Sequence, residues 1–443
     1  MIELPNRIRL APGDYFMHAQ DLAMRRSGLQ GNICCAVMHL DKGFDIERLR
    51  RRLTESPLMD WLARARLVRS VPPLTPSWQL SAPGQIFFVH DDTAAPMPNA
   101  WTPPKVVTER QLHAENNPGI AVDVLHHADG TSHLFFSWNH THLDASGVDF
   151  ILHHLDSKSD SNGSASVKDF ISPKQLKGLP ISQWWSAASF AHTSMKWLND
   201  SGKDPLFSPA PSGPRSSACN NHRRRIHFTQ DETARIAERT AKIAPGFRRS
   251  HFYLAASIQA LDTVARARGT AGGAYLIPVP HDTRRHGAKG PIFSNHLSIL
   301  FYRIEAQQAE KVRDIVAELG KQMTVQIRDK FPEACMAALN MFKVIPPGYY
   351  VKHLGKPTRG KIASLSFSDS GEACPGMAEF CDGRILDVTH LIPCWSSPGV
   401  TMLFLQFGKR LSIMLSWVDD CISLPEADNI ERDLRHVLLE TPL

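Results

Sequence analysis

The sequence predicts an α+β fold, and three observations carry that expectation. Helix-like and strand-like segments are interspersed without the strict alternation of a doubly wound sheet. The chain has 443 residues, of which 42% are hydrophobic, so with domains of about 100–200 residues it holds two or three units. Charged residues make up 21% and aromatics 8%, which excludes a disordered, collagen-like or coiled-coil chain.

The elements follow in order. Pro12-Gly13-Asp14 reads as a turn and cap, and a helix then carries Tyr15, Phe16, Leu22 and Met24 toward Gln30. Asn32–Leu40 (NICCAVMHL) is an apolar strand. Asp45–Leu53 is an amphipathic helix with Ile46, Leu49 and Leu53 on one face. Gln85–His90, Ile120–Leu125 and Leu134–Trp138 are further strands. Composition then shifts. Ser157–Ser166 (SKSDSNGSAS) is polar and small, and Ser201–Asn221 collects Pro, Ser and Gly. Between them lies an aromatic helical stretch around Trp184, Trp185 and Trp197. The expected organisation is a first lobe over 1–185 with a flexible segment at 157–168, a connection over 186–221, and a second lobe over 222–443.

The second half restarts at Thr229-Gln230-Asp231-Glu232, a capping box opening a helix toward Lys242. Ser250–Arg268 is a helix with Leu254, Ile258, Leu261 and Val264 in period. Tyr275–Val279 and Leu297–Ile304 are strands, and Lys311–Arg328 is helical. Ile362–Phe367, Val400–Phe407 and Leu411–Val418 are strands, and Glu426–Leu439 is a closing helix.

Charge and cysteine usage narrow the class. The 50 Lys and Arg against 44 Asp and Glu leave a net charge of +6. The tight basic runs, Arg50-Arg51-Arg52 and Arg223-Arg224-Arg225, have no interleaved aromatics, which argues against a nucleic-acid binder. The excess suits an anionic ligand, and Arg223–Arg225 is one patch that could receive it. The 8 cysteines show no disulfide framework or zinc knuckle: Cys34 and Cys35 are adjacent, and Cys374, Cys381 and Cys394 are widely spaced. They read as free thiols of a cytoplasmic protein. Met1–Leu10 has no apolar signal core, and no stretch reaches the ~18 apolar residues of a membrane span. Peripheral membrane contact stays compatible with this pattern.

The stretch that carries chemistry is Phe135–Phe150, FFSWNHTHLDASGVDF. An apolar strand ends near His140, a tight turn holds Asp144, and a helix starts near Gly147. A rigid strand end can present His140 to a cleft, and Asp144 can turn back to hold the loop. That is the placement a general base needs.

At these residues the chain resembles the condensation-domain and chloramphenicol-acetyltransferase superfamily. His140-x-x-x-Asp144-Ala145 is similar to its HHxxxDG motif, and the layout is closest to the wax ester synthase and diacylglycerol acyltransferase branch. Phe44-Asp45-Ile46 follows the first strand as in that family, and Ile277–Arg284 (IPVPHDTR) is similar to its VPVDLR segment. Gly290–Asn295 sits where a GN pair precedes a strand, and Ser364–Gly371 where a serine-rich turn stands. Asn139 replaces the first histidine and Ala145 the glycine, and the DFGWG signature of the plant branch is missing.

The resemblance implies two chloramphenicol-acetyltransferase-like lobes in a V-shaped pseudo-dimer with a tunnel between them. It implies an acyl thioester donor, on CoA or an acyl-carrier protein, and an alcohol or amine acceptor. His140 would act as general base, with Asp144 organising the motif and Arg284 as partner of Asp144. Gly147, Ser366 and Ser368 are candidates to bind substrate or stabilise the oxyanion, and Asn295 is structural. No cofactor beyond the thioester cosubstrate and no metal is implied. Two alternatives stand beside it. His140-Thr141-His142-Leu143-Asp144 also fits HxHxD, the start of a zinc-hydrolase motif, but Ala145 replaces its third histidine. A noncatalytic condensation-like binding lobe is the other.

Overall fold

An apolar strand lies at the centre of the computed structural model and sets its layers. The residues described are 4–69, 75–92, 103–116, 118–157, 167–172, 205–211, 220–246, 249–270, 272–284, 287–288, 290–355, 361–395 and 397–440, with helical positions 188–189, 192 and 196. Ile33–Leu40 is apolar on both faces because both faces are covered. Cys34, Ala36, Met38 and Leu40 join the first core beside the opening helix Pro12–Arg26, which contributes Tyr15, Phe16, Met17 and Ala19. Cys35 and Val37 point the other way, to Leu125, Phe135, Leu391, Leu403 and Met414. The strand period of two assigns one set to each layer.

Six strands form the first sheet. Ile33–Leu40 pairs antiparallel with Ser132–Asn139, which pairs antiparallel with Ile120–His127. Phe87–Asp92 adds in parallel to the last of these. On the other side of the central strand lies Gly383–Leu391, antiparallel to it, with Val388 opposite Met38 and Leu391 opposite Cys35. Glu379–Phe380 closes that edge.

One strand of the second half, Gly383–Leu391, pairs within the first sheet. The reason lies in its side chains: Val388 completes the first core and Leu391 the layer between the sheets. Phe331, Cys335, Leu339 and Tyr350, from helices Phe331–Phe342 and Pro347–Gly355, also pack in the first core. The expected connection at 186–221 and the tryptophan stretch lie largely outside the described residues, as does 158–166.

The second sheet has four strands. Val400–Phe407 and Arg410–Val418 form a hairpin, flanked by Ser366–Glu372 in parallel and Asn221–His227 antiparallel. Helices Gln230–Ile243, Arg249–Ala267 and Leu424–Leu439 place Ile236, Leu254, Ile258, Leu261, Ile430 and Leu434 in its core. The expected capping box is present: Glu232 N donates to Thr229 Oγ1 at 3.1 Å and Thr229 N donates to Glu232 Oε2 at 2.8 Å.

The basic run Arg223–Arg225 is a strand, and its charges have internal partners. Arg224 pairs with Asp428 at 2.6 Å and Glu431 at 3.2 Å. Arg225 pairs with Asp387 of the crossing strand, one bond being 3.0 Å. Arg223 Nε donates to Ile392 O at 3.5 Å, and burial pushes its pKa down. This run ties the second sheet to its neighbours rather than forming an open anion-binding site.

A two-stranded ribbon pairs Ala274–Asp282 with Leu297–Glu305. The chain joining these strands carries Arg284, Asn295 and His296, and it docks on the loop after Asn139. Leu143 and Ser294 form a parallel bridge, and Ser294 N donates to His142 O at 2.9 Å. Among the described residues no helix is long and apolar enough to cross a membrane, and the seven cysteines described are buried.

Candidate active site

The motif strand Ser132–Asn139 is buried along its length and ends against two anchors. His140 N donates to Asn32 O at 2.8 Å. Asn139 Nδ2 donates to Asp21 Oδ1 at 3.2 Å and to Leu112 O at 3.0 Å, while its Oδ1 accepts from Thr141 N at 2.9 Å. Asn139 therefore donates twice and accepts once, as a side-chain amide can. The residue that departs from the family's first histidine is a buried anchor of the turn.

His140 follows and is partly exposed. Its Nδ1 lies 3.0 Å from Asn295 Oδ1. Burial pushes the imidazole below its ordinary range, opposed by hydrogen bonding to its own carbonyl and by the Asp144 charge. A neutral ring at neutral pH is the form a base requires.

Asp144 caps the helix Ala145–Asp156. Its Oδ1 accepts from Gly147 N and Arg284 Nη2, and its Oδ2 from Arg284 Nη1 and His296 N, all at 2.9 Å. Burial alone would raise this carboxyl, but the Arg284 guanidinium beside it holds it below the usual carboxylate range. Arg284 is 4% exposed at its side chain. It also donates to Pro291 O at 3.0 Å and pairs with Asp282 at 3.2 Å. Arg284 is thus the ion-pair partner of Asp144. Ala145 is the first helical residue, where a Cβ is accommodated without strain.

The other candidates are placed differently. Gly147 spends its N–H on Asp144, so that donor does not face an oxyanion; a Cβ there would meet Ile292 O at 2.5 Å. Gly147 permits close packing between the motif helix and the ribbon connection. Ser366 and Ser368 lie on Ser366–Glu372, opposite Thr401 and Leu403. Leu403 points into the layer between the two sheets. Ser366 Oγ and Thr401 Oγ1 are both buried without a hydrogen-bond partner. No hydrogen bond among the described residues joins either serine to His140 or Asp144.

His142 is fully buried, its ring 4.4 Å from that of Trp78 and its Nε2 3.4 Å from Ala65 O. Burial pushes its pKa down to about 3. Gly119 leaves the space its ring fills. The residues of the zinc alternative therefore turn to separate partners: His140 to Asn295, His142 to Ala65 and Trp78, Asp144 to Arg284. Among the described residues no group of three or more His, Cys, Asp or Glu could hold a metal ion.

Sequence reasoning missed the depth of Asn295 and the part of Asp14. Asn295 Nδ2 donates to His140 O at 2.8 Å and to Asp14 Oδ1 at 3.1 Å. Asp14 was legible only as a helix-start residue, and it does accept from Ala11 N at 3.1 Å. Its contact with Asn295 spans 281 residues, for which local sequence carries no signal.

By sequence the chain matches no protein-family model and no curated protein. Solved structures do match. TRI3 trichothecene 15-O-acetyltransferase from Fusarium sporotrichioides superposes with a TM-score of 0.70 at 13% identity, over 98% of this chain and 96% of that one. A mutant starter condensation domain of rhizomide synthetase RzmA, in complex with C8-CoA and Leu-SNAC, gives 0.66 at 14% identity, over 98% and 94%. The epimerization domain from the third module of tyrocidine synthetase B gives 0.63 at 12% identity, over 99% and 97%.

Proposed function

We propose that this chain, which has the fold shared by condensation domains and a chloramphenicol-acetyltransferase-like acetyltransferase, is an acyltransferase. It moves an acyl group from a thioester, on CoA or a carrier protein, to a hydroxyl or amine acceptor. One observation carries the reading. His140 stands at the end of a rigid strand with Nδ1 held by Asn295, beside an Asp144 locked by Arg284, in a chain of this fold.

The chemistry follows from that placement. His140 Nε2 takes the proton of the acceptor O–H or N–H as the acceptor heteroatom attacks the thioester carbonyl. The tetrahedral intermediate collapses, the C–S bond breaks, and the imidazolium returns the proton to the departing thiolate. The thioester is already activated, so no acyl-enzyme forms. Asp144 keeps the loop in place and does not relay a proton, because all its acceptor sites are taken by Gly147, His296 and Arg284.

The oxyanion needs a donor. With Gly147 N committed, Ser366 and Ser368 are the candidates kept, and the unpartnered Ser366 Oγ is the better of them. In this reading the donor and acceptor arrive from opposite faces of a tunnel between the two halves. The condensation-domain structure solved with C8-CoA and Leu-SNAC supports a thioester donor. Wax esters or acylglycerols would be one part of the product range.

The test is acyl transfer from a panel of acyl-CoAs and acyl-carrier proteins to alcohols and amines, followed by thiol release. Transfer should depend on His140 and require the thioester. Release of acid alone, with water as the only acceptor, would contradict the reading.

A further inference from the structure

We infer that Asp14 is a positioning residue for the base: through Asn295 it favours the His140 tautomer with its proton on Nδ1 and its lone pair on Nε2. Its catalytic meaning rests on the acyl-transfer reading; its geometry does not.

The two ends of the Asn295 amide can be told apart by what surrounds them. Nδ2 lies 3.1 Å from Asp14 Oδ1, 2.8 Å from His140 O and 3.3 Å from Thr141 O. A carboxylate oxygen and two carbonyls only accept, so the atom facing them is the nitrogen. The end facing His140 Nδ1 at 3.0 Å is therefore the amide oxygen. An amide oxygen cannot donate, so Nδ1 carries the hydrogen, and in the neutral ring Nε2 holds the lone pair.

Asp14 adds to the two carbonyls in fixing this orientation. It is fully buried and surrounded by donors: Ala11 N at 3.1 Å, Trp78 Nε1 at 3.2 Å, Asn295 N at 2.7 Å and Asn295 Nδ2 at 3.1 Å. Turning the Asn295 amide over would put its oxygen against the carboxylate and two carbonyls. Burial pushes the Asp14 pKa up to about 6, with Asn295 and Trp78 pulling it back. Four N–H donors match the ionised form. Gly13 completes the junction: a Cβ there would meet Asn295 O at 2.5 Å. The opening helix thus reaches His140 through one side chain of the ribbon connection.

The experiment reads the tautomer directly. Full-length protein labelled with 15N-histidine is studied by long-range nitrogen–proton correlation at a pH where the imidazole is neutral. His140 is identified by the signals missing in His140→Gln. The wild type should show the Nδ1–H form. In Asp14→Asn and Asn295→Ala, both checked for cooperative melting, His140 should pass to a mixture of tautomers. Their kcat should fall on the order of 10²-fold with KM nearly unchanged, as for a misplaced catalytic group. If Asp14→Asn does not fold, Asn295→Ala carries the comparison. An Nε2–H tautomer in the wild type overturns the inference, and so does an unmoved Nδ1–H form in a folded variant. A tautomer that moves as expected in a protein without acyl transfer leaves the positioning intact and sinks the acyl-transfer reading instead.

Discussion

Replacing Asp144 by Asn isolates the ion pair that braces the motif. The carboxylate accepts four hydrogen bonds at 2.9 Å, two of them from Arg284. Asn caps a helix about as well as Asp, so the bond from Gly147 survives and the helix start is not what is tested. What changes is Arg284. Its side chain is 4% exposed and would keep Asp282, 45% exposed and 3.2 Å away, as its carboxylate partner. Removing one partner of a buried pair costs about 3–5 kcal/mol. Because Asp282 still offers an exposed contact, the loss should sit at the low end, about 3 kcal/mol. The assay is a double-mutant cycle by denaturant unfolding with Asp144→Asn, Arg284→Met and the pair. The expected coupling is about 3 kcal/mol, because the double variant leaves no buried charge behind. A coupling under about 0.5 kcal/mol is ordinary additivity and would refute the bracing argument. The pH dependence has a definite sign. Asp144 has its folded pKa depressed, so its contribution is present above the unfolded value of about 3.9 and is lost as pH falls through the folded value. The gap between wild type and Asp144→Asn should be wide at neutral pH and close in acid.

Two further outcomes are expected. Gly119→Ala would drive a Cβ into the His142 ring, which is held under Trp78 and cannot yield; it should destabilise the protein by about 1–3 kcal/mol, and an unchanged unfolding midpoint would show that the ring has room to move. Protein expressed with added zinc should carry none through the motif, because His140, His142 and Asp144 face separate partners; stoichiometric zinc by elemental analysis, lost in His142→Ala, would restore the hydrolase alternative.

The contrast between what the sequence showed and what it hid follows contact range. Ile33–Leu40, Ser132–Asn139 and the capped helix Gln230–Ile243 have strong local signals, and the expected elements fall within a few residues of those observed. The expected strand Ile362–Phe367 is displaced to Ser366–Glu372, where serine and aspartate hide the period. Gly383–Leu391 was missed because Arg384, Asp387, Thr389 and His390 break its apolar run; pairing with Ile33–Leu40 and the Arg225–Asp387 ion pair place it in the first sheet. Arg223–Arg225 looked like a free patch because composition cannot see partners more than a hundred residues away. At the site, the spacing from His140 to Asp144 was visible as a strand–turn–helix junction. The Asp14–Asn295 contact was not, since it exists only once the opening helix and the ribbon connection meet.

The most direct test of the account is the acyl-transfer assay on wild type and His140→Ala, with both confirmed folded by their melting transitions. The wild type should transfer acyl groups from at least one thioester donor to a hydroxyl or amine. Loss of the base should slow the reaction by about 10²–10⁴-fold, the range for general acid–base catalysis. Full activity in His140→Ala would contradict the assignment of His140 as the base.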